Sequence, residues 1–64
     1  PAPRLYCPSL AIGPVELPPE EVHHASSALR AKSGMSITLF DGRGREGSAV
    51  ISAVDKRRLT AEVS

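Results

Sequence analysis

The chain has 64 residues, which is too short for an enzyme with separate cofactor and substrate domains. Its hydrophobic fraction of 41% is ordinary for a folded domain and argues against disorder. Eight Lys and Arg against seven Asp and Glu give a formal net charge of +1, so an anionic partner must be bound by a local cluster rather than by total charge.

The first half of the chain predicts two short strands and one helix. Prolines divide the first third into extended pieces, with a strand at Arg4–Cys7, expected at a sheet edge, and a second at Val15–Leu17. Pro19 suits the first turn of a helix, and Gly34 suits the position just after its end. The spacing of apolar residues predicts this helix over about residues 19–32.

The second half changes to an apolar period of two and predicts three strands. They cover residues 37–40, 46–54 and 59–63, with turns at 41–44 and 55–57. Their short connections predict an antiparallel meander. The order is then β-β-α-β-β-β, a mostly β (α+β) fold whose sheet can avoid exposed edges by curling into a small antiparallel barrel with one helix.

Composition also bears on compartment and partners. The single cysteine, Cys7, excludes an internal disulfide and a multi-cysteine zinc site, and favours a reducing, cytoplasmic location. No apolar run approaches the roughly 18 residues of a membrane span, so no membrane partner is expected. Tyr6 and Phe40, the only aromatic residues, are few for a base-stacking platform. Pro1 in place of Met and the apolar alternation up to Ser64 suggest a piece of a longer protein.

The histidine pair His23-His24 is the first candidate site. Consecutive helical residues diverge by about 100°, and no third ligand has suitable spacing, so no metal site is predicted. The flank formed by His23, Ser27 and Arg30 could donate hydrogen bonds to phosphate oxygens. Composition alone favours solvated surface histidines.

Three basic segments are the other candidates. Arg30 and Lys32 could stabilise the helix dipole or contact RNA, and the two interpretations are about equally supported. The glycine-rich segment 40–46 could present Arg43 and Arg45 to phosphates, although spacing alone favours a hairpin turn with solvated arginines. Residues 56–58 form a charged tip that could contact phosphates non-specifically. No catalytic residue is predicted.

Three motifs, in this order and spacing, resemble the N-terminal domain of the RsmE family. They are Pro3-Arg4-Leu5-Tyr6, then His23-His24 with Leu29-Arg30-x-Lys32-x-Gly34, then Leu39-Phe40-Asp41-Gly42-x-Gly44-x-Glu46. This family consists of bacterial methyltransferases that modify N3 of a uracil in 16S ribosomal RNA. The resemblance implies a single PUA-like RNA-binding domain over residues 1–64. In the parent protein a knotted SPOUT methyltransferase domain, absent from this chain, would follow it.

The resemblance also implies site residues and partners. RNA-binding roles fall on Arg4, His24, Arg30 and Lys32, with Arg43 added on its chemistry, while Asp41, Gly42 and Gly44 would shape a turn. The fragment itself is expected to hold no cofactor and to be non-catalytic, and the parent to use S-adenosylmethionine. Expected partners are 16S ribosomal RNA in the small subunit, the protein's own SPOUT domain and a second copy of the parent. The alternative is a β-barrel docking module with no direct RNA role.

Overall fold

A computed structural model describes residues 2–64, which form five strands and one helix. The elements are β1 (Arg4–Tyr6), β2 (Gly13–Glu16), α1 (Pro19–Ser27), β3 (Ser36–Phe40), β4 (Glu46–Val54) and β5 (Leu59–Val63). The mostly β fold with one helix and the order β-β-α-β-β-β are therefore confirmed. Within these residues no helix is long and apolar enough to cross a membrane.

All five strands join one sheet in the order β1-β3-β4-β5-β2. The predicted antiparallel meander of β3, β4 and β5 is confirmed, and β2 adds to it antiparallel to β5. β1 pairs with β3 in parallel, with Leu5 opposite Leu39, so the sheet is mixed. A parallel pair requires a long crossover, which here contains β2 and α1. In the backbone pairing β1 and β2 are the two edges.

The core lies under one face of the sheet and follows the predicted alternation. Ile37 and Leu39 on β3 are buried, whereas Thr38 and Phe40 between and after them are only partly covered. The alternate residues of β5 are buried in the same way, and α1 closes this face with Val22 and Ala25. The meander therefore points its other face toward solvent, together with most of the side chains at its turns.

The helix is shorter than its sequence predicts, because α1 ends at Ser27 rather than near residue 32. The two serines at this end are weak helix formers, because their hydroxyls form hydrogen bonds with backbone carbonyls. Ser27 Oγ donates to the His23 carbonyl of the same helix at 2.7 Å, and Ser26 Oγ donates to the Asp55 carbonyl at 3.4 Å. The chain then turns through Arg30, whose φ is +52°. Arg30 and Lys32 therefore lie in the α1–β3 loop and not in a last helical turn.

Candidate nucleic-acid interface

The β3–β4 turn is organised by the carboxylate of Asp41, which is 2% exposed. Its Oδ1 accepts the backbone N–H groups of Arg43 at 2.8 Å and Arg45 at 3.0 Å, and its Oδ2 accepts Nε of Arg45 at 2.9 Å. Gly42 and Gly44 have φ of +76° and +95°, in the region that favours glycine. The residues between Phe40 and Glu46 are thus held in one conformation by a single side chain.

The two arginines of this turn differ in their contacts. The Arg45 guanidinium donates to Asp41 and, through Nη2, to the Leu10 carbonyl at 3.3 Å. The pKa of Asp41 is lowered to about 2, mainly by the hydrogen bond from the Arg45 side chain and next by the one from the Arg43 N–H. Arg43 uses only its backbone, and within residues 2–64 its exposed side chain forms no ion pair. Of the two arginines, Arg43 is therefore the one whose guanidinium has no carboxylate partner within residues 2–64.

Beside this turn, Arg4, Tyr6 and Phe40 form an exposed group that we call the edge cluster. The Arg4 guanidinium carbon lies 4.9 Å from the centroid of the Phe40 ring, and the Tyr6 and Phe40 ring centroids are 5.6 Å apart. The parallel register, which places Tyr6 opposite Phe40, brings them together. Arg4 also pairs with the exposed Glu46 at 3.1 Å, a surface contact that a phosphate can replace at little cost.

The edge cluster was missed by sequence reasoning, which counted the two aromatic residues as too few for a base-stacking platform. They are far apart in the chain, and only the parallel β1–β3 pairing makes them neighbours. Proteins stack unpaired bases on exposed aromatic side chains, and neighbouring arginines add cation–π contacts. Tyr6 is 38% exposed, so part of its ring is accessible from solvent.

Glu21, in the first turn of α1, was also missed, because none of the candidate sites in the sequence includes it. Its Oε1 accepts the backbone N–H of Tyr6 at 2.6 Å. A carboxylate on a backbone N–H is a strong, charge-assisted hydrogen bond. It ties α1 to the edge strand and so helps to hold Tyr6 in place.

The glycine pair provides a test of how closely the turn packs on the edge cluster. A Cβ at Gly42 would lie 3.2 Å from Tyr6 Cε1, whereas at Gly44 nothing lies within 4 Å. Each Gly→Ala change should destabilise the fold by about 1–2 kcal/mol because of its positive φ. Only Gly42→Ala should change the emission of Tyr6, the single tyrosine in a chain without tryptophan. An equal change in Gly44→Ala would contradict this packing.

Arg30 and Lys32 lie at the other end of β3 from the edge cluster. Their loop runs beside the second half of β4, where Ser33 Oγ donates to the Ser52 carbonyl at 3.1 Å and the Gly34 N–H donates to the Ile51 carbonyl at 2.7 Å. The structure therefore divides the predicted RNA-binding residues into two groups. Arg4 and Arg43 belong to one, and Arg30 and Lys32 to the other.

The histidines are exposed on α1 and belong to neither group. The His24 carbonyl accepts the Ala28 N–H at 2.9 Å, and its ring makes no hydrogen bond among the described residues. Across residues 2–64 no group of three or more His, Cys, Asp or Glu residues could hold a metal ion.

The described residues thus form a five-stranded mixed sheet with one helix and exposed cations at both ends of β3. Residues 17–64 match the family model described as the RNA methyltransferase PUA domain, and the chain belongs to this family. The resemblance to the N-terminal domain of RsmE proteins is confirmed by solved structures.

One of those structures is ribosomal RNA small subunit methyltransferase E from Neisseria gonorrhoeae, bound to S-adenosylmethionine. It is 39% identical with a TM-score of 0.86, and the match covers 97% of this chain and 26% of that one. A Legionella pneumophila protein with bound S-adenosylmethionine is 32% identical with a TM-score of 0.89, over 100% and 27% of the two chains. A probable rRNA methyltransferase from Porphyromonas gingivalis is 32% identical with a TM-score of 0.83, over 97% and 26%. This chain thus spans about a quarter of each relative's length. No curated protein sequence matches it.

Proposed function

We propose that this chain is the RNA-binding domain of a methyltransferase that acts on N3 of a uracil in 16S ribosomal RNA. The family match and the names of the N. gonorrhoeae and P. gingivalis relatives support an rRNA substrate for the parent protein. The choice of uracil N3 follows from the motifs shared with the RsmE family. In this proposal the parent works in the cytoplasm on the small ribosomal subunit, as a homodimer formed through a SPOUT domain.

The observation that carries this proposal is the position of the edge cluster beside the Asp41 turn. The turn presents Arg43 without a competing carboxylate, and β1 presents Arg4 on the same edge. These cations contact phosphates, and the Tyr6 ring stacks on an unpaired base between them. Because the turn is fixed before RNA arrives, little conformational freedom is lost on binding.

In this mechanism the chain positions RNA and the methyl transfer takes place in the domain that it lacks. S-adenosylmethionine supplies the electrophilic methyl group, and its presence in two relatives supports it as the parent's cofactor. We place the cofactor outside this chain, since the groove lined by Leu10, Ile12 and Val63 has a volume of only about 170 Å³. Binding sites for small molecules and cofactors usually enclose about 300–1,000 Å³.

The same groove favours the second candidate function, a docking module with no direct RNA role. Ile12 is 80% exposed at its rim, next to the buried Leu10 and Val63. An exposed isoleucine beside a shallow apolar groove is a feature of protein contact surfaces. Apolar docking depends weakly on salt, whereas phosphate binding depends on it strongly, so salt separates the two functions.

The test is the affinity of the 64-residue chain for a fluorescein-labelled, uracil-rich single-stranded RNA, measured by anisotropy over a range of salt concentrations. Wild-type affinity should fall steeply with salt. Arg43→Gln should weaken binding several-fold and reduce the slope of log K against log salt by about 0.7, the value for one phosphate contact on a single strand.

Arg58→Gln is the matched control, because it removes the same charge from the β4–β5 turn, away from the edge cluster, where Arg58 faces Glu16 at 3.4 Å. It should leave the slope close to that of the wild type. Equal effects of the two variants would indicate that only net charge matters, and affinity independent of salt would favour the docking function.

A further inference from the structure

The carboxylates of this chain form ion pairs with only some of its basic residues. Of the eight Lys and Arg, three form ion pairs: Arg4 with Glu46, Arg45 with Asp41 and Arg58 with Glu16. Within residues 2–64 the others form none. One of those is Arg43, on the β3–β4 turn. The remaining four lie on two other loops, and we call them the basic end: Arg30, Lys32, Lys56 and Arg57.

Hydrogen bonds hold the end of α1 and the loop that follows it against β4 and the β4–β5 turn. Ser26 Oγ, at the end of α1, donates to the Asp55 carbonyl of the β4–β5 turn at 3.4 Å. Ser33 Oγ, in the α1–β3 loop, donates to the Ser52 carbonyl of β4 at 3.1 Å. Residues distant in sequence therefore present their cations at one end of the molecule.

The carboxylates near the basic end are already engaged. Oδ1 of Asp55 accepts the N–H groups of Arg57 at 2.7 Å and Arg58 at 2.8 Å, which fixes the tip of the β4–β5 turn and lowers the pKa of Asp55. Glu16 faces Arg58. Glu20 and Glu21 lie in the first turn of α1, away from its C-terminal end. Within residues 2–64 none of the four cations forms an ion pair with a carboxylate.

The basic end also lacks phenylalanine and tyrosine side chains, since the chain's Tyr6 and Phe40 both belong to the edge cluster. All four cations can bind phosphates, whereas an unpaired base could stack here only on an arginine plane. Paired RNA hides its bases in the helix and is recognised through its backbone and shape. A surface of this composition therefore fits a duplex better than a loop.

We propose that the basic end binds the phosphate backbone of a double-helical RNA segment while the edge cluster receives the adjoining single strand. This inference rests on the proposed RNA-binding function and adds a second contact surface to it. The domain measures 27 × 22 × 20 Å, so its two ends can reach a helix and the single strand that leaves it. The β4–β5 turn, which no motif assigned to RNA, becomes a positioning surface.

The test is the binding of Lys56→Gln/Arg57→Gln to a blunt-ended RNA duplex without loops, at several salt concentrations. Glutamine keeps the Arg57 N–H bond to Asp55, so the turn should fold normally. The duplex affinity should fall by about tenfold at low salt, and the slope of log K against log salt should decrease by nearly 2, at about 0.9 per phosphate contact. Arg57→Gln alone should produce about half of this change in slope.

Arg58→Gln is again the matched control, as the adjacent arginine, whose guanidinium is turned toward Glu16 on β2. It should change duplex affinity less than twofold. The proposal is overturned if Lys56→Gln/Arg57→Gln binds the duplex like Arg58→Gln while Arg43→Gln still weakens single-strand binding, and the proposed function then stands. If the wild type binds neither RNA, both are overturned.

Discussion

Replacing Asp41 with Asn should lower the thermal midpoint of unfolding by on the order of 10 °C. The asparagine amide would point an NH₂ group at the Arg45 Nε, so two donors would face each other where a carboxylate now accepts. Asp41 is 2% exposed, and water cannot readily take over the lost contact. Thermal unfolding followed by far-ultraviolet circular dichroism measures the change.

Asp55→Asn is the control for Asp41→Asn, because Asp55 caps the β4–β5 turn in a similar way but is exposed. Its Oδ1 accepts only backbone N–H groups, which an asparagine oxygen can also accept. It should lower the midpoint much less than Asp41→Asn. Equal losses would contradict the assignment of the Asp41–Arg45 contact as the stabilising element of the turn.

The stability of the wild type should depend on acid pH through the same carboxylate. The pKa of Asp41 is lowered from 3.8 to about 2 in the folded chain, so its ionised form favours folding. That stabilisation is complete above about pH 4 and is lost as the pH falls toward 2. Asp41→Asn should therefore show a flatter decline in melting temperature between these values. An unchanged slope would contradict the lowered pKa.

Leu39→Ala should unfold most of the population at room temperature. Leu39 is fully buried on β3, between its β1 neighbour Leu5 and β4. Truncating a buried leucine costs about 2–5 kcal/mol. A domain of this length has a small core, and Cys7, its only cysteine, is buried and unable to form an internal disulfide. The free energy of unfolding in urea measures the loss.

Val50→Ala is the control for Leu39→Ala, since Val50 is an apolar strand residue with 46% of its surface exposed. It should change stability by no more than about 0.5 kcal/mol. If Leu39→Ala melted within a few degrees of the wild type, the core would not lie under the face of the sheet that the alternation of β3 defines.

The meander and the Asp41 turn could be predicted from the sequence because their signals are local. The alternation of Ile37 and Leu39 fixes which face of β3 is buried, and two glycines after Asp41 mark a turn. The boundaries of β4 were also predicted, since its residues are small or β-branched over residues 46–54.

The end of α1 and the edge cluster depend on tertiary contacts and could not be predicted in the same way. The Ser26 hydroxyl donates a hydrogen bond to the carbonyl of Asp55, which is distant in sequence, at the point where the helix ends early. Tyr6 meets Phe40 only through a parallel pairing, which no local pattern in a three-residue strand indicates. The same limit applies to the basic end, whose two loops are separated by β3 and β4.

The most direct test of the account is a titration of the ¹⁵N-labelled chain with an RNA hairpin that carries a single-stranded tail. The account predicts salt-sensitive amide shifts in two regions, at Tyr6 with residues 40–43 and at residues 30–32 with 55–58. Shifts confined to Leu10, Ile12 and Val63, or the absence of binding at low salt, would contradict an RNA-binding function and favour the docking module.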